Sequence, residues 1–190
     1  MTKDTSDKFI LGGMLGRHPV TLDLHEAASR GDTKVIRELI EKGVDVNASD
    51  DFGGTAIYNA AANSQSNSIR ILASANAKLD VSDKRGITPL HKAAENGHTR
   101  AIIALIDSGA NIHQRNQDGD TPLHLTARNN HGDAARELLR LGAYKNVKNN
   151  RGKTALMLAQ ACSAAAVLEA FKEKSNRRSF WYKLRKFFRR

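Results

Sequence analysis

The chain has 190 residues and a formal net charge of +10, with 40% hydrophobic and 26% charged residues. That length supports a sizeable buried core, and a single cysteine, Cys162, rules out an internal disulfide and favours a reducing compartment. No apolar run approaches the ~18 residues of a bilayer-spanning helix, and no basic-then-apolar leader is evident, so neither a membrane span nor a secretory signal is expected.

Residues 1–19 read as a flexible lead. Its apolar stretch Phe9 to Leu15, broken by Gly12 and Gly13, is a candidate cover for the first structural unit. From residue 20 a phrase recurs. Leu22-Asp23-Leu24-His25 is followed, 33 residues later each time, by Thr55-Ala56-Ile57-Tyr58, Thr88-Pro89-Leu90-His91, Thr121-Pro122-Leu123-His124 and Thr154-Ala155-Leu156-Met157. A strict period of this size marks a repeat array.

Within each unit the elements follow in a fixed order. Thr88 and Thr121 stand where a helix N-cap satisfies free backbone N–H groups, and Pro89 and Pro122 take the first helical position, where a missing N–H costs nothing. The alanine pairs Ala27-Ala28, Ala60-Ala61 and Ala93-Ala94 let helices approach closely. Gly97 and Gly109 bracket a second helix and suit positive φ. Ile102, Leu105 and Ile106 give that helix one buried stripe. The polar stretch Asn111 to Asp120 reads as a projecting hairpin finger. One unit cannot bury its apolar face alone, so the units stack.

The phrase Thr-Pro-Leu-His-x-Ala-Ala and its spacing resemble the ankyrin repeat over residues 20–174, as five copies, two close to consensus and three divergent. The resemblance implies an all-α solenoid of stacked helix-turn-helix units with projecting fingers, a concave protein-binding face, no cofactor and no catalysis. The second copy departs most, with Ala56 for Pro, Tyr58 for His, Ser64 for Gly and Asn76 for Gly, which weakens its turns and helix start. Leu39, Asp45, Val46 and Asn47 also match the spacing preferred by an asparaginyl hydroxylase that acts on ankyrin proteins, marking Asn47 for hydroxylation.

Residues 175–190 fall outside the register. Seven of the ten net charges lie in 177–190, where there is no acid, and so do five of the ten aromatics. On a helix, Phe180, Trp181, Leu184, Phe187 and Phe188 share an arc of about 120°, with Lys183, Arg185, Lys186, Arg189 and Arg190 opposite. Such a short amphipathic helix is suited to an anionic membrane surface. A second reading is that it caps the fifth repeat. Nuclear import or nucleic-acid binding, docking into a partner's groove, and a secretion signal remain open readings of the same residues.

Catalytic chemistry finds no foothold. His25, His91 and His124 share one column and His98 and His131 another. Neighbouring helices about 8–10 Å apart cannot bring such a column within the ~2 Å that zinc ligation needs, so these histidines read as structural. His18 and His113 have no evident partner. Cys162, in the small-residue run Ala161 to Ala166, reads as packed. Binding remains. The candidate surface comprises the finger tips Asp51, Phe52, Lys84, Arg85, Gln117, Asp118, Asn150 and Arg151. First-helix positions join them in one exposed column (Glu26, Asn59, Lys92, Leu125, Leu158) and a neighbouring one (Ser29, Ala62, Glu95, Arg128, Ala161), together with Tyr58. Their mixed charges point to a protein partner rather than a nucleic acid. The expectation is a monomeric scaffold or adaptor in the cytoplasm, with two alternatives: a membrane-peripheral protein held by its tail, or a bacterial effector delivered into a host cell.

Overall fold

The computed structural model describes residues 19–51 and 53–172, with side chains from Leu24 onward. Among the described residues there are ten helices in five pairs: α1 (Pro19–Arg30) and α2 (Thr33–Glu41), α3 (Ala56–Ala62) and α4 (Ser66–Ser74), α5 (Pro89–Glu95) and α6 (Thr99–Ser108), α7 (Pro122–Arg128) and α8 (Gly132–Arg140), and α9 (Ala155–Ala161) and α10 (Ala165–Lys172). First helices pack on first helices and second on second, making a two-layered all-α stack.

The sequence columns become the core. Ile57 and Leu90 in the first-helix layer, and Ile69, Leu72, Ile102, Leu105 and Leu138 in the second, are fully buried. Each such side chain contributes about 1.5–3 kcal/mol on burial. Ala60, Ala61, Ala93 and Ala94 are also fully buried, so the helices meet with methyl groups between them. Contact is closer still at Gly132, where an added Cβ would lie 2.6 Å from the Ala166 methyl.

The threonine caps form as the spacing predicts. The Thr88 hydroxyl accepts from the His91 N–H (3.4 Å), while His91 Nδ1 accepts from the Thr88 N–H in return (3.4 Å). Thr121 and His124 repeat the arrangement. The second repeat keeps its helix start without a proline, because Thr55 Oγ1 accepts from the Tyr58 N–H (3.4 Å).

Its turns are strained, however. The position filled by Gly31 (φ 81°) and Gly97 (φ 71°) is Ser64 at φ 59°, and Asn76 at φ 63° stands where Gly109 has φ 111°. A side chain in the left-handed region costs roughly 1–2 kcal/mol, asparagine being the best tolerated after glycine. Ser64→Gly is therefore expected to raise stability by about 1 kcal/mol, read as an upward shift of the urea midpoint; an unchanged or lowered midpoint would refute the strain.

The fingers carry no strand among the described residues, only an isolated bridge between Ser49 and Thr55. They are tight turns of one design. In each, an Asp or Asn five residues before the start of the next repeat closes the loop: the backbone N–H groups of Asp50, Asp83, Asn116 and Asn149 donate to the carbonyls of Gly54, Ile87, Asp120 and Lys153. Their side-chain oxygens accept the N–H groups of those same four residues at 2.8–2.9 Å. Each finger is thus a tight hairpin turn closed over four residues, and the first carries one further antiparallel pair, Ser49 with Thr55.

Two expectations about single residues need correction. Cys162 is exposed, at the C-cap of α9 in the last described repeat, where no described residue of a following repeat lies over it. Leu125 is only 3% exposed, although the rest of its column is exposed or half-exposed, because it is covered within the stack while remaining outside the main apolar core. The apolar lead at 9–15, His18, and the amphipathic tail helix lie outside the described residues, and α1 begins at Pro19.

Candidate protein-binding surface

Most polar residues of the stack are committed to holding it together. His91 Nε2 donates to the Asp120 carbonyl (3.0 Å), His124 Nε2 to that of Lys153 (3.1 Å), and His25 Nε2 lies 3.1 Å from the Gly54 carbonyl. His98 and His131 reach back instead, to the carbonyls of Ala62 and Glu95 at 3.0 and 2.9 Å. All five histidines thus bond to a carbonyl 29 or 36 residues away: three to the residue just before the next repeat, two to the first helix of the preceding one. Burial pushes the imidazoles of His91 and His124 below the ordinary histidine pKa. Among the described residues, no three His, Cys, Asp or Glu side chains are grouped to hold a metal. His113, for which the sequence offered no partner, stacks on Tyr144 with ring centroids 3.8 Å apart.

The candidate residues divide by geometry. Phe52 and the tail residues 180–190 lie outside the described residues. Gln117 is a tie between fingers, its Nε2 donating to the Lys84 carbonyl (2.7 Å) and its backbone N–H to that of Arg85 (3.1 Å). Asn150 does the same one repeat on, with Nδ2 donating to the Gln117 carbonyl at 2.8 Å. Arg128 reaches from the end of α7 to Asp120 Oδ2 at 2.5 Å, and that aspartate side chain is fully buried. Asn47, half-buried, accepts the Lys78 N–H on Oδ1 at 2.7 Å and so joins the first repeat to the second.

Tyr58 is the meeting point of the second finger and the first helices: Asp83, Arg85 and Glu95 all act on its phenol, Arg85 pairs with Asp83, and Lys92 joins through its pair with Glu95. Lys92 and Glu95 pair on α5 at 2.8 Å, each about one-third exposed or less. Arg85 Nη2 lies 3.4 Å from Asp83 Oδ2 with its own side chain 67% exposed. Burial raises the Tyr58 phenol above its ordinary pKa; the Asp83 charge adds to this and Arg85 opposes it. Beside this cluster the finger edge is predominantly basic. Lys84, Arg115, Lys148, Arg151 and Lys153 are exposed there with Arg85, while Asp51 and Asp118 are the exposed acids at the tips. Arg115 extends over the next finger, its Nη2 donating to the Lys148 carbonyl at 2.9 Å.

Sequence reasoning missed the four Asp or Asn residues that build the fingers, Asp50, Asp83, Asn116 and Asn149. They too recur every 33 residues, and reading them as one Asx column would have revealed them. It also missed Asp120, the buried anchor of Arg128.

A stack of helical pairs with nearest-neighbour packing, repeated turns and polar side chains along one edge defines a solenoid binding module. The chain belongs to the ankyrin-repeat family: a family model described as ankyrin repeats (3 copies) matches it over residues 24–116 and again over 101–176. No curated protein matches it. Ankyrin repeats generally mediate protein–protein interaction. Among the described residues no helix is long and apolar enough to cross a membrane.

Proposed function

We propose that the protein is a non-enzymatic scaffold or adaptor. It binds one protein partner through the face made by its fingers and first helices, and the tail cations form a second contact. The observation that carries this reading is the Tyr58–Arg85–Lys92–Glu95 cluster, set beside exposed finger tips on a frame tied together from repeat to repeat. A preorganised polar surface loses little freedom on binding, and its aromatic and guanidinium groups are the types that dominate interface energetics. Alternation of Asp51 and Asp118 with Lys84, Arg85 and Arg151 fits the mixed surface of a protein better than a uniform polyanion. Such a module acts by occupancy, recruiting, blocking or positioning what it holds. A second reading, attachment to an anionic membrane by the tail, is favoured by the joint presence of seven cations and five aromatics in 177–190.

A photo-reactive residue at position 85 is expected to cross-link a partner in the native cell, whereas the same residue at position 140, on the second-helix layer, does not. Arg85→Glu with Arg151→Glu should then weaken the purified complex by about tenfold or more, leaving the helical signal intact. Equal cross-linking from both positions, or unchanged affinity, would remove this face from consideration.

A further inference from the structure

The last repeat is left uncovered by the same columns that are covered elsewhere. Down the first-helix layer, Leu24, Ile57, Leu90 and Leu123 are at most 1% exposed, but Leu156 in the same column is 36% exposed. One position on, His25, His91 and His124 are 5% exposed or less, while Met157 is 45% exposed. In the second-helix layer Ile36, Ile69, Ile102 and Ala135 are fully buried, and Leu168 and Phe171 only partly so. A repeat that ends a solenoid in water needs a polar outer face. Here the alanine column does turn polar, as Gln160, but four large apolar side chains remain at the open end.

We propose that residues 180–188 of the same chain close this end, laying Phe180, Trp181, Leu184, Phe187 and Phe188 over Leu156, Met157, Leu168 and Phe171. The segment begins where it is needed. Eight residues lead from Lys172, the last described residue of α10, to Phe180, and a segment of that length can span at most about 26 Å, enough to return across a pair of helices. Its apolar residues recur at helical spacing on one side. Laying that side down leaves Lys183, Arg185, Lys186, Arg189 and Arg190 outward in water, where they remain available to an acidic partner. The tail thus supplies the neighbour that every other described repeat obtains from the next one along.

Trp181 is the single tryptophan in the chain, so its fluorescence reports on the tail alone. In the dilute full-length protein without lipid, Trp181 is expected to emit at the short wavelengths of a buried indole and to resist acrylamide quenching. Leu156→Glu with Met157→Glu should shift the emission to longer wavelength and restore quenching while the far-ultraviolet helical signal is kept. Met157→Glu alone, at the most exposed position, serves where the double variant loses helix. Val35→Glu, an exposed apolar position at the opposite end, should leave the emission unchanged. An exposed-indole spectrum in the unaltered chain, or a spectrum indifferent to charges at 156 and 157, overturns the proposal. A blue shift that appears only with phosphatidylserine vesicles assigns the aromatic face to a membrane. One that grows with protein concentration assigns it to a second copy. Either result also overturns the proposal.

Discussion

Arg128→Glu is expected to destabilise the protein by about 3 kcal/mol, the largest effect of any single change at a surface-reaching residue. Its partner Asp120 is fully buried and is held on both carboxylate oxygens, by Arg128 Nη2 at 2.5 Å and by Asn149 Nδ2 at 2.7 Å. The Asp120 backbone is occupied as well, its carbonyl by His91 Nε2 and its N–H by Asn116 Oδ1. Three successive structural features therefore meet at one residue: the cap of α5, the third finger and the fourth finger. Removing the guanidinium strands a charge that water cannot reach, and glutamate adds repulsion. The Arg128 side chain is 41% exposed, which places the cost at the low end for breaking a buried pair. Urea unfolding measures it. Arg151→Glu, on an exposed tip, should change stability by no more than about 0.5 kcal/mol. The cost of Arg128→Ala should shrink in an Asp120→Asn background, and equal costs in both backgrounds would refute the coupling.

Acidification below neutrality is expected to unfold the array through His91 and His124. Each ring is a relay with fixed roles. Nδ1 accepts from the threonine N–H and Nε2 donates to the carbonyl of the next finger, so the neutral imidazole already satisfies both sides. A proton on Nδ1 would face a donor, in a site where burial already opposes charge. Burial is the leading cause of the lowered pKa at both residues, outweighing the Asp120 charge that favours protonation. The folded pKa therefore lies below the unfolded value near 6.5. Their contribution is complete above pH ~6.5 and falls away as the pH drops from there toward the folded pKa, because the unfolded chain binds more protons in that window. Two histidines can give a slope of at most about 2.7 kcal/mol per pH unit. Denaturant midpoints measured from pH 7.5 downward test this. A His91→Gln, His124→Gln variant, weaker at neutral pH, should show a flatter profile between pH 6.5 and 5, and an undiminished slope would assign the acid sensitivity to other groups.

The architecture was legible because its signals are local and repeated. Proline after threonine, paired alanines and left-handed glycines each have one dominant cause, and five copies in one register reinforce one another. The binding surface was less legible. Sequence columns can show that Gln117 and Arg128 vary, but not that one ties two fingers and the other neutralises a buried carboxylate. Both look like free recognition groups until the partner residue, 32 or 8 positions away, is seen beside them. Cys162 and Leu125 went astray for the complementary reason: exposure depends on what lies above a residue, and the period says nothing of where the stack stops. Tyr58 stands out in the sequence as a departure from the repeat phrase and Arg85 as a finger-tip cation, but their convergence around Asp83 depends on a finger geometry set by the Asx column.

The hydrogen bonds that join one repeat to the next span 29 to 36 residues along the chain. Each of these ties closes a loop of nearly constant length, so the entropy of closure is about the same at every step of assembly. Contact order stays low however long the array becomes, which favours fast folding that can begin in the two copies nearest consensus and spread outward. Whole repeats could accordingly be gained or lost over evolutionary time without any new long-range closure having to be solved.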